Sequence, residues 1–130
     1  MNAKDYLLDY ARHIGNIEIY KSTKEQAKHD LESLPPLPEN YNPCKDKYKA
    51  TRQIIEAVKV CDEYIEQHRR ECQKIEAAIN SLEDPRQRQV LQMRYIQQPP
   101  ATWEAIAAAM CYTLQSCHRI HNAALKNIKL

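Results

Sequence analysis

The chain has 130 residues, a formal net charge of +2, seven prolines, five cysteines and one glycine. That length holds one modest domain, or a small domain carried on an extended element. The single glycine, Gly15, argues against strand-rich folds, phosphate-cradling loops and dinucleotide-binding turns, which all lean on glycine for positive φ.

What remains is an all-α chain of helices joined by proline-marked breaks. No stretch approaches the roughly 20 consecutive apolar residues that span a bilayer, and "MNAKDYLLDYARHIGN" carries acids where a secretory leader is apolar. A soluble protein without a membrane partner is expected. Cys44, Cys61, Cys72, Cys111 and Cys117 form an odd set with no CxxC spacing, so reduced thiols are expected rather than a disulfide framework. The charge is uneven along the chain. From residue 86 onward six basic residues face one acid, Glu104, for +5, whereas the first 85 residues hold 13 basic and 16 acidic side chains, for −3. A polyanion would bind the C-terminal third.

In chain order, residues 3–33 read as a first helix. Leu7, Tyr10, Ile14 and Ile17 advance by three and four, followed by Tyr20, Lys24, Ala27, Leu31 and Leu34, with Lys24 and a change of phase near Ile17 weakening the seam. "SLPPLPENYNPC", residues 33–44, has four prolines, and their missing N–H groups mark a connector. The second helix, residues 45–83, carries the clearest period. Thr51, Ile54, Val58, Cys61, Ile65, His68, Cys72, Ile75, Ile79 and Leu82 form a heptad seam flanked by Glu56, Lys59, Glu63, Glu66, Arg69 and Arg70. Such a helix, about 57 Å long at about 1.5 Å per residue, must bury its stripe against a partner. The first helix folded back as an antiparallel hairpin is the expected partner, because an intramolecular partner has a high effective concentration; a second chain could add a homodimer through the same hairpin. Cys61, Cys72 and His68 read as seam residues rather than ligands.

Three short helical patterns follow, in residues 84–130. The first, 85–97, opens with Asp84 as N-cap and Pro85 at the first helical position, and presents Val90, Leu91 and Tyr95. "QQPPA" ends it. Thr102 caps the second, whose Trp103, Ile106, Ala107 and Met110 form one stripe, with alanines at 105, 107, 108 and 109 that would let another helix approach. "MCYT" is the turn, and Thr113 caps the third. There Cys117, Ile120, Ala124 and Ile128 share one side and Gln115, His118, Arg119, Asn122 and Lys126 the other.

A basic, carboxylate-free helix after a tight turn suits the DNA major groove. Arginine pairs with guanine O6 and N7, and glutamine or asparagine with adenine N6 and N7. Gln115, Ser116, His118, Arg119 and Asn122 are expected at base edges, and Arg86, Arg88, Arg94, Thr102, Lys126 and Lys129 at phosphates. His118 and His121 would add affinity when protonated. The competing metal reading needs Cys111, Cys117, His118 and His121 to converge, but C-x5-C-H-x2-H is not a zinc spacing, and Cys117 and His118 lie about 100° apart on a helix. No metal and no cofactor are expected. Neither is an enzyme, since no nucleophile, base and orienting residue stand at a readable spacing.

"RQRQVLQMRYI" followed by "TWEAIAAAMCYTLQSCHRIHNAALKNI" closely resembles region four of the sigma-70 family of transcription factors. Val90, Leu91, Arg94, Tyr95, Thr102, Ile106, Ala107, Tyr112, Ile120, Ala124 and Leu125 carry the match, over about the last 46 residues. With the "TWE" start of the middle helix and the preceding helices, the chain resembles the phage late-gene regulators of the RinA and ArpU type. The resemblance implies a helix-turn-helix domain at 84–130 that binds double-stranded DNA and controls late-gene transcription in the cytoplasm of a bacterial host. The hairpin at 1–83 reads as an oligomerisation or protein-interaction element. Three departures stand out. Cys111 replaces the usual turn glycine, Ala105 replaces the glutamate of a capping box with Thr102, and Leu114, Gln115, Ser116 and His118 replace charged residues. A DNA site other than the usual sigma promoter element is therefore expected. The alternatives are a hairpin that itself docks on RNA polymerase, and a DNA-packaging protein like a terminase small subunit.

Overall fold

The computed structural model describes residues 2–42 and 46–130, and no strand occurs among them. The protein is all-α. Helix α1 spans Ala3–Leu31, a 3₁₀ turn at Asp46–Tyr48 leads into α2 at Lys49–Asn80, and α3 at Pro85–Leu91 runs into one π-helical turn at Gln92–Ile96. Helices α4, Trp103–Met110, and α5, Leu114–Asn127, complete the chain. Pro43 of the connector, the Cys44 thiol and the expected helix start at Lys45 lie outside the described residues. The described part of α2 has 32 residues, about 48 Å of helix, shorter than the sequence period implies because residues 46–48 form a 3₁₀ turn and Asn80 ends the helix before Leu82.

Helix α1 stops two residues before the expected end. Its last turn tightens into i→i+3 bonds from Glu32, Ser33 and Leu34 to the carbonyls of His29, Asp30 and Leu31, and prolines follow.

The two long helices form the antiparallel hairpin. Tyr10 donates its hydroxyl to Glu76 Oε1 at 2.7 Å, Tyr20 stacks on Tyr64 at 5.0 Å between centroids and on His68 at 6.0 Å, and Lys24 Nζ lies 2.5 Å from Asp62 Oδ1. As the α1 partner advances through 10, 20 and 24, the α2 partner falls through 76, 64 and 62. Lys24, which breaks the apolar pattern of α1, meets an acid there. At the turn end the buried Thr51 hydroxyl donates to the Pro35 carbonyl at 2.8 Å.

The contacts divide into two compact units, one of residues up to Ile14 together with Arg70–Leu130, the other Gly15–Arg69. In the second, Ile17, Thr51, Cys61 and Ile65 are buried. The first holds the larger core, in which Leu7, Ile79, Val90, Leu91, Ile106, Cys117 and Ala124 have no exposed surface and Ile75 has almost none. At about 1.5–3 kcal/mol for each fully buried aliphatic side chain, this core supplies most of that unit's stability. The π turn, closed by Gln97 N–H to the Gln92 carbonyl at 2.9 Å, widens the helix where α2 ends. There Gln92 Nε2 donates to Asn80 Oδ1 at 3.0 Å.

Candidate nucleic-acid interface

Each short helix begins on the capping residue expected from sequence. Asp84 Oδ1 accepts from Arg86 N–H at 2.9 Å, Thr102 Oγ1 from Ala105 N–H at 3.1 Å, and Thr113 Oγ1 from Ser116 N–H at 3.1 Å. Such caps contribute about 1 kcal/mol each. Between α4 and α5 the chain reverses through Cys111, whose φ of 59° and ψ of 37° are left-handed. Its N–H and that of Tyr112 return to the carbonyls of Ala108 and Ala107, closing the end of α4. Cys111 thus takes the conformation glycine usually supplies, with its thiol in solvent.

Val90, Ala101, Ile106 and Cys117 form the buried centre beneath these helices, with Met93, Trp103, Ala107, Met110 and Ile120 packed against it. Of the four alanines of α4 only Ala107 packs inward; Ala105, Ala108 and Ala109 are exposed. Along α5, Cys117, Ala124 and Ile128 are buried and Ile120 is partly buried, so the apolar stripe faces the core. Gln115, His118, Arg119, Asn122 and Lys126 are exposed. At 100° per residue they fall within about 100° of arc. No carboxylate lies on α5. Ser116 is partly buried and its Oγ accepts from Thr113 Oγ1 at 3.0 Å, so part of its capacity serves the cap.

The expected phosphate-binding residues separate by what they touch. Lys126 and Lys129 are exposed at the end of α5 and beyond it. The exposed Arg86 guanidinium is turned onto Asp84, with Nη2 3.2 Å from Oδ2, and this contact holds the Asp84 carboxyl below the usual carboxylate range. Arg88, partly buried, donates through Nη1 to the carbonyls of Leu82 and Glu83. Arg94 donates to the Ala101 carbonyl at 3.0 Å, with its guanidinium 5.0 Å from the Trp103 ring centroid. These two guanidinium groups brace the chain around α3 and α4.

One expectation is overturned. The sequence expectation that His121, like His118, adds affinity for DNA when protonated does not fit its place: His121 is buried, because its position four residues after Cys117 places it on the apolar stripe. The Tyr95 hydroxyl lies 2.7 Å from His121 Nε2, the two rings stack at 5.7 Å, and the Trp103 ring stands edge-on to the imidazole at 5.0 Å. Burial pushes the His121 imidazole below its ordinary range, partly opposed by its hydrogen bond to Asn122. His118 also packs against Trp103, tilted, with centroids 4.1 Å apart, and stays exposed. Sequence reading missed this cluster of Arg94, Tyr95, Trp103 and His121, although the stripe phase of α5 already contained His121.

Cys111 in solvent and Cys117 fully buried point to separate environments, and among the described residues no group of three His, Cys, Asp or Glu side chains could hold a metal ion. No described helix is long and apolar enough to cross a membrane. Comparisons of the chain with protein-family models, with curated proteins and with solved structures return no match.

Proposed function

We propose that the protein is a sequence-specific DNA-binding transcription regulator, with α4, the Cys111 turn and α5 acting as a helix-turn-helix. One observation carries the reading. The face of α5 bearing Gln115, His118, Arg119, Asn122 and Lys126 is exposed and free of acids, while the opposite face is sealed into the core. A helix anchored in this way offers rigid donors and acceptors of the types that pair with purine edges. The +5 charge of residues 86–130 supplies attraction to phosphates. Arg119 and Asn122 read bases, Gln115 and His118 extend the readout, and Lys126, Lys129 and Arg86, released from Asp84, hold the backbone. Arg88, Arg94 and Ser116 support the fold, and Thr102 sets the N-terminus of α4.

One such unit is small, and a homodimer through the hairpin would present two of them. Exposed Ile19, Ile55 and Tyr64 on the hairpin helices favour a protein contact there. That surface also supports the second reading, a hairpin that docks on RNA polymerase.

Selection of duplexes from a random pool by the full chain tests the proposal. A preferred site is expected, with half-sites separated by about 10–10.5 base pairs or a multiple if the protein is dimeric. Recovery of no preferred sequence would contradict it, and a ring of many subunits in a mass measurement would favour the DNA-packaging alternative.

A further inference from the structure

The buried pair behind α5 continues to its exposed face. His121 Nδ1 lies 3.4 Å from Asn122 Oδ1, while His121 Nε2 lies 2.7 Å from the Tyr95 hydroxyl. An amide oxygen only accepts, so the contact with Asn122 requires the proton on Nδ1. Nε2 then carries a lone pair, and Tyr95 must donate to it. The chain therefore runs from the Tyr95 O–H to His121 Nε2, and from His121 Nδ1–H to Asn122 Oδ1. Tyr95 is 5 % exposed and His121 7 %, so water has little access to replace the bond between them, whereas the contact with the exposed Asn122 is only partly buried. The stacked Tyr95 ring and the edge of Trp103 hold the imidazole plane. Burial disfavours the doubly protonated ring, which could not accept from Tyr95.

We propose that Tyr95 and His121 are positioning residues that fix the side-chain amide of Asn122 and so create a preference for adenine at one position of the DNA site. This rests on the DNA-binding reading. With Oδ1 tethered on one lone pair, the amide keeps its NH₂ and its second lone pair in a set order. Adenine N7 and N6–H₂ match that donor and acceptor side by side. An untethered amide can turn over and reverse the order, and the match is then lost for half of its orientations.

The test uses the full-length chain and three variants: Asn122→Ala, Tyr95→Phe, and Tyr95→Phe combined with His121→Phe. The double variant removes both buried polar partners together, which avoids leaving one unsatisfied. Circular dichroism verifies folding. We expect the wild type to enrich one adenine that Asn122→Ala loses, and the double variant to lose that preference by about tenfold while binding scrambled DNA within about twofold of wild type. In the DNA-free wild type, ¹⁵N NMR should show a protonated Nδ1 and an unprotonated Nε2 on His121. If the wild type enriches no site, the DNA-binding reading falls and this inference falls with it. If a site is enriched but the double variant keeps its adenine, or if His121 shows the opposite tautomer, the positioning role alone is overturned.

Discussion

At the scale of single residues, the turn before α5 depends on one strained position. Cys111 holds φ at 59°, where a side chain costs about 1–2 kcal/mol relative to glycine. Its thiol is exposed and makes only a 3.9 Å contact with the Ala108 carbonyl, so little is lost by removing it. Glycine also gains freedom in the unfolded chain, which takes back part of the benefit. We expect Cys111→Gly to raise stability by up to about 1 kcal/mol and Cys111→Val to lower it by about 1–2 kcal/mol, read from urea midpoints. The opposite order would show that the turn is not left-handed. His121 gives a pH dependence of definite sign. It is held neutral when folded, because burial lowers its affinity for a proton, whereas the unfolded chain takes up that proton below about pH 6.5. The unfolded state then binds more protons, so this contribution is present above about pH 6.5 and is lost as pH falls through the folded-state value. The urea midpoint should drop between pH 7 and about pH 5.5, and His121→Phe should shrink that drop; an equal drop in both proteins would contradict the buried assignment. The residue types alone could not reveal this role, since a histidine beside Arg119 and Asn122 reads as polar until its helical phase is compared with that of Cys117.

Among the elements, what was legible in the sequence was whatever repeats. The seam of α2 has no fully exposed member from Thr51 to Leu82, because a 3,4 spacing over many turns leaves one face for the partner helix. The caps Asp84, Thr102 and Thr113 were equally readable, since each side chain satisfies an N–H that its helix leaves open. The π turn at Gln92–Ile96 and the pairing of Lys24 with Asp62 were not. Both depend on what lies opposite in space, and a seam lysine announces only that its partner is unknown. The same logic separates positions on α2. Ile79, fully buried, should cost about 2–5 kcal/mol when changed to alanine, whereas Ile55, 41 % exposed, should cost no more than about 0.5 kcal/mol. These costs are those of the single chain; a loss at Ile55 that grows with protein concentration would show that a second chain covers it, as the proposed hairpin dimer requires.

For the whole molecule, the division of labour follows from where the packing units lie. Residues up to Ile14 and from Arg70 onward form one compact unit, whose buried side chains include Leu7, Ile75 and Ile79 of the two long helices, so removing the hairpin would take core from the unit that carries α5. Tests of DNA binding therefore belong on the full chain. The basic surplus after residue 85 was visible in the sequence, but its distribution was not. Arg88 and Arg94 are spent on backbone carbonyls and an aromatic ring, and the exposed Arg86 is paired with Asp84, which leaves Arg119, Lys126 and Lys129 as the exposed cations on and just after α5. The most direct measurement of the central claim is the affinity of wild type, Arg119→Ala and Lys129→Ala for a selected duplex and a scrambled one across a salt series. Arg119→Ala should reduce discrimination between the two duplexes by about 1–3 kcal/mol, and Lys129→Ala should weaken both alike while lowering the salt slope by about one. Unchanged discrimination in Arg119→Ala, or no preference in the wild type, would contradict a reading role for the exposed face of α5.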